Sequence, residues 1–194
     1  MVTRGRPTTW RALVLALPFL AVACGQQSAT LTGDSLTVSP CQGGHPLVLA
    51  PVNLSFDRIE WLRNSDVAGT LDLRQGWRDP TTSNGVALQI LDIPAIVEAL
   101  RQSPGAPVPM DGLARVTLTL ESRCPQAVQP LEARTGTLTL SQFDLMPAGR
   151  IAGTAQFDLL DLRADASAAP VGVNLSLSFE KDLNDKDPLT GWGR

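Results

Sequence analysis

Three long stretches of this chain alternate apolar and polar residues one for one, and a period of two leaves few folds open. In "LAPVNLSFD" the residues Ala50, Val52, Leu54 and Phe56 share a face opposite Pro51, Asn53 and Ser55. In "ARVTLTLES" the pattern sets Val116, Leu118 and Leu120 against Arg115, Thr117, Thr119 and Glu121. In "PVGVNLSLSFEK" it sets Val171, Val173, Leu175, Leu177 and Phe179 against Gly172, Asn174, Ser176, Ser178 and Glu180. Side chains on a pleated strand point alternately to its two faces, so such runs describe antiparallel strands with one face buried and one wet. Shorter runs repeat the pattern at 36–38, 70–74, 86–91 and 137–140.

The connections agree. "RIAGTAQFDLLDLRA" alternates through Ile151, Ala155, Phe157 and Leu159, then moves the pattern to Leu160 and Leu162, as a bulge would. Pro147 and Gly149 in "LMPAGR" predict a hairpin joining 136–143 to 150–162, and "ADASAAP" is a looser loop before the last strand. One short helix of about two turns is expected in "LDIPAIVEALRQSPG". Asp92 caps it, Pro94 suits its first turn, and Pro104-Gly105 stop it ahead of a proline-rich loop at 103–112. The expected fold is all-β, an antiparallel β-sandwich or partly closed barrel of eight or nine strands. An immunoglobulin domain fits poorly: Cys41 and Cys124 lie 83 residues apart around Trp61, and the chain has no tyrosine for a tyrosine corner.

The N-terminus has a different grammar. Arg4, Arg6 and Arg11 precede an apolar run, and the uncharged stretch 12–23 is shorter than the roughly 20 residues a membrane-spanning helix needs. That is the layout of an export signal. Its end, Leu20-Ala21-Val22-Ala23-Cys24, resembles the lipobox of bacterial lipoproteins, with Ala21 where leucine is commonest. The resemblance covers about the first 25 residues. It implies that 1–23 are removed, that Cys24 carries lipid, and that the protein is held in the cell envelope by a membrane anchor. Gly25, in place of an aspartate after the cysteine, implies outer-membrane delivery in a cell with two membranes. Residues 24–30 would then be the lipidated cysteine and a short tether, and 31–194 a single domain.

Loss of the leader leaves 171 residues, enough for one domain that buries about 70% of its unfolded surface. It also removes three arginines and no acids, which moves the net charge from −3 to −6. With scattered arginines and two lysines, no basic face is available for nucleic acid. Cys41 and Cys124 read as a disulfide in an exported chain. A partial zinc site from Cys41, His45 and Cys124 would lack a fourth ligand.

No cofactor or metal is expected, and no complete catalytic motif occurs. His45, the single histidine, lies in the loop "CQGGHPL", and Asp158, Asp161 and Asp165 cluster near a strand end. These residues define the alternative reading, an anchored glycan-acting hydrolase using Asp158 and Asp161 or His45. The tail residues Asp182, Asn184, Asp185 and Asp187 miss calcium-loop spacing, with Lys186 at the fifth position and Asp187 where the loop needs glycine. Among the tryptophans Trp61, Trp77 and Trp192, Trp61 is expected to pack at a sheet margin with Ile59. Trp77 sits between Arg74 and Arg78 in "LRQGWRDP", a pairing of residue types enriched at binding hot spots. The leading expectation is a lipid-anchored, non-enzymatic binding or assembly component of the bacterial envelope. Its partner would be an envelope protein or a glycan, contacted through Trp77, Arg74 and Arg78.

Overall fold

The structure, a computed structural model, describes residues 27–39, 41, 44–75, 84–121, 123–124, 131–161 and 169–183. Thirteen strands and one helix follow in chain order: β1 Gln27–Gly33, β2 Ser35–Val38, β3 Leu47–Leu49, β4 Val52–Phe56, β5 Arg58–Arg63, β6 Gly69–Gln75, β7 Asn84–Ile90, α1 Ile93–Gln102, β8 Val108–Pro109, β9 Ala114–Leu120, β10 Leu131–Ala133, β11 Thr137–Phe143, β12 Arg150–Asp161 and β13 Gly172–Asp182. Every ladder is antiparallel, and the sheet curls into a half-barrel. The all-β reading holds, in its partly closed form.

The strand count exceeds the expected eight or nine because long runs are broken by bends. Joining segments separated only by short kinks leaves eight runs, β1–β2, β3–β5, β6, β7, β8–β9, β10–β11, β12 and β13, in an up-and-down meander. The breaks fall on one line. The last intact row across the wall is Pro109–Thr137–Gln156–Ser176–Thr32–Asn53. Just beyond it β8–β9 breaks at 110–113, β10–β11 at 134–136, β1–β2 at Asp34 and β3–β4 at the cis bond Ala50–Pro51, while β13 carries a bulge.

This crease divides the sheet into two walls, β4-β1-β13-β12-β11-β8 and β3-β2-β13-β12-β10-β9-β7-β6-β5, which share β12 and β13. Strands that pass between packed sheets make such corners with bends and bulges. At the far side β4 runs into β5 through Asp57, whose N–H donates to the Arg74 carbonyl at 3.1 Å. The apolar faces of both walls join one hydrophobic cluster, and Trp61 on β5 meets Phe143 on β11 edge to face, with centroids 6.2 Å apart. Trp61 is buried on the same face as Ile59, and a Cβ at Gly69 would overlap its indole. Only glycine lets β6 lie that close to the ring.

The helix forms as its sequence prescribes. Asp92 Oδ1 accepts from the Ala95 N–H at 2.9 Å, Pro94 occupies the first turn, and Ile93 and Ile96 enter the core. Its ten residues make nearly three turns rather than two.

Four local expectations are corrected. β1 begins at Gln27, so residues 27–30, expected as tether, are strand. On β12 the alternation does not shift, for Leu159 is fully buried and Leu160 is 38% exposed. The extra residue lies on the partner strand: Phe157 pairs with Leu175 but Leu159 pairs with Gly172. That bulge puts Gly172 on the core side and leaves Val173 half-buried, so the facing expected for Val173 fails, while Val171 still packs against the core and that of Leu175, Leu177 and Phe179 holds. A two-residue strand, β8, also interrupts the loop expected at 103–112.

Candidate functional site

Where the crease crosses the outward face of β12 and its neighbours, a groove of about 490 Å3 opens, lined by Thr135, Gly136, Thr137, Gln156, Phe157, Asp158, Asn174, Leu175 and Ser176. Its floor is β12. One side is the kink between β10 and β11, where Gly136 takes a φ of 137° that side chains rarely adopt, and where a Cβ would strike the Gln156 carbonyl. The other side is the β13 bulge, where Asn174 sits in the left-handed region at φ 51°. Asparagine tolerates that conformation better than most residues, and two bonds hold it. Its N–H donates to Asp158 Oδ1 at 2.7 Å, and its Nδ2 donates to Asp34 Oδ2 at 2.6 Å.

Phe157 and Leu175 close the groove from beneath as core residues. What faces outward is a set of neutral donors and acceptors, the hydroxyls of Thr135, Thr137 and Ser176 and the amide of Gln156, beside the Asp158 carboxylate. Such a lining can hydrogen-bond a hydroxyl- or amide-bearing ligand, and it carries no cation to grip an anion.

The sequence-derived candidates do not converge on this groove. Asp158 enters it, but Asp161, three residues along the same strand, falls on the opposite face of the pleat. The two carboxylates therefore do not flank a common space. His45 is exposed in its loop, where its carbonyl accepts from the Cys41 N–H at 3.1 Å. Arg74 lies on β6, bonded through Nε to Asp72 Oδ2 at 3.0 Å. Its direct cross-strand partner is Arg58, and Glu60 stands opposite Asp72. Like charges placed opposite one another repel. Each arginine instead turns to the acid on its own strand, Arg58 reaching Glu60 at 2.6 Å.

Trp77, Arg78, Cys24, Asp165, Asn184, Asp185, Asp187 and Trp192 lie outside the described residues. Asp182 is ion-paired to Arg150 at 3.4 Å. Among the described residues no three His, Cys, Asp or Glu side chains are grouped to hold a metal ion. Cys41 and Cys124 come together at disulfide distance, with Cα atoms 4.9 Å apart.

Sequence reasoning missed Thr135, Thr137, Gln156, Asn174 and Ser176. Four of them read as ordinary wet-face residues. The one usable signal was Asn174, an asparagine inside an apolar alternation, where a left-handed bulge residue is the physical use for that side chain.

Fold and groove together define a filled, curled antiparallel sheet with a polar groove on its outward face. No protein-family model, no curated protein and no solved structure matches the chain.

Proposed function

We propose that this chain is a lipid-anchored, non-enzymatic component of the bacterial cell envelope that captures an uncharged polar ligand, a glycan chain of the envelope, in the groove at the crease. In a two-membrane cell its anchor is in the outer membrane. The observation that carries the binding half is the groove itself, whose hydroxyl and amide lining is positioned by two backbone irregularities and the Asp158–Asn174–Asp34 bonds. Backbone strain concentrates where structure is held for recognition rather than for stability alone. The anchor half rests on the lipobox resemblance at Cys24. Hydrolysis is the weaker reading, because Asp158 and Asp161 project from opposite faces of β12.

The test of the ligand is retention on isolated cell-wall glycan. Thr137 and Gln156 are exposed, so the double variant Thr137→Ala/Gln156→Ala should melt as the parent does. Losing one or two hydrogen bonds, each about 1 kcal/mol, should weaken capture by roughly five- to thirty-fold. Unchanged retention at unchanged melting temperature would remove the groove from the function. For the anchor, Cys24→Ser should release the protein from membranes.

A further inference from the structure

The start of β1, which leads back to Cys24, and Met146, the most exposed large apolar side chain among the described residues, lie at the same end of the fold. Gln27 pairs with Lys181, Lys181 with Ile151, and Ile151 with Phe143, so these four residues form one row. Past that row the chain continues toward Cys24 on β1, and the β11–β12 hairpin turns through 144–149. Only Gly25 and Gln26 separate Cys24 from Gln27, and three chain steps limit that reach to about 10 Å. Neighbouring strands lie about 4.8 Å apart, so the hairpin is two to three spacings, roughly 10–15 Å, from the start of β1.

The tip of this hairpin is apolar, Leu145-Met146-Pro147-Ala148, and it is held in shape. Asp144 Oδ1 accepts from the Met146 N–H at 3.0 Å, and the Gly149 N–H donates to the Met146 carbonyl at 2.8 Å. Ala148 takes the left-handed conformation at φ 61°, and a Cβ at Gly149 would run into the Asp144 carbonyl. The Leu183 N–H donates to the Gly149 carbonyl at 2.8 Å, fastening the turn to the end of β13. The result is a rigid turn presenting Met146 at 68% exposure, the highest of the large hydrophobic side chains among the described residues. Exposed apolar tips are normal when scattered. This one stands beside the point where the chain leaves for its lipid.

We infer that the 144–149 hairpin tip is a lipid-contacting surface that seats this end of the half-barrel on the bilayer. The inference rests on the anchor reading of Cys24, because acylation is what holds this end against a membrane. Its consequence is a fixed posture. The groove residue Gln156 lies six residues up β12 from Arg150, so the groove is carried about 20 Å above the lipid surface, opening sideways.

The experiment uses the full acylated protein in phosphatidylcholine vesicles that contain lipids with quenching groups on their acyl chains. A polarity-sensitive fluorophore is attached at Met146→Cys, and in a second sample at Val48→Cys. Val48 is exposed on β3, beyond the crease and away from the anchor end. The expected result is at least two-fold quenching and a blue shift at position 146, with neither at position 48. Vesicle-bound protein whose position 146 is no more quenched than position 48 overturns the inference and leaves the anchor standing. Protein that does not sediment with vesicles and carries an unmodified Cys24 overturns the anchor reading, and this inference with it.

Discussion

Phe157 and Asp158 are neighbours in sequence and face opposite worlds. The Phe157 ring is 5% exposed within the core, whereas Asp158 lies at the surface and accepts a hydrogen bond from the Asn174 amide. Phe157→Ala should therefore cost about 3–5 kcal/mol through lost burial and a residual cavity. Asp158→Ala should cost about 1 kcal/mol, because it leaves a bulge amide without its protein acceptor while water can still reach the site. Urea unfolding of the two variants checks both values. Equal losses would mean that the strand faces are misassigned. Gly69 and Gly136 make the same point with backbone, since each is glycine where a Cβ would meet the Trp61 ring or the Gln156 carbonyl.

Among the elements, α1 is the most self-sufficient. Its cap, first-turn proline and stop all lie within residues 92–105, and it gives the core Ile93 and Ile96, with Ala99 and Leu100 partly buried beside them. Asp92→Ala removes the cap from the Ala95 N–H and should cost about 1 kcal/mol, while Asp92→Asn, which caps as well, should cost little. Thermal unfolding of the pair separates capping from charge. The strands are less independent. β12 keeps one unbroken alternation while bulges fall on both neighbours, between Leu140 and Gln142 on β11 and beside Asn174 on β13. A strand that stays regular while its partners slip is a hinge for the crease, and it lets one strand belong to both walls.

Across the whole molecule, the Cys41–Cys124 contact ties the end of β2 to the end of β9, two points brought together only by the curl. Cross-linking residues 83 apart stabilises a fold by about 4–5 kcal/mol in the chain-entropy model, as an upper figure. The double variant Cys41→Ser/Cys124→Ser should lower the urea midpoint accordingly, and reduction of the parent should reproduce the loss. A midpoint indifferent to both changes would show that the bridge contributes nothing.

What the sequence determined by itself was local. Period-two alternation set the strands and their faces at Val52–Phe56, Val116–Leu120 and Leu175–Phe179, because that pattern is a property of one strand and its solvent. The helix boundaries followed from Asp92, Pro94 and Pro104-Gly105 for the same reason. The pairing of Cys41 with Cys124 was legible because these are the only two cysteines besides Cys24. The tertiary structure alone decided where the register slips, which wall each run joins, and that Thr135, Gln156, Asn174 and Ser176 share one groove. A bulge is defined only against the neighbouring strand, so the shift heralded by Leu159-Leu160 could be sensed on β12 and yet belong to β13. The groove has the same origin. Its polar residues are wet-face residues on three separate runs, and only the alignment of irregularities across those runs makes them neighbours.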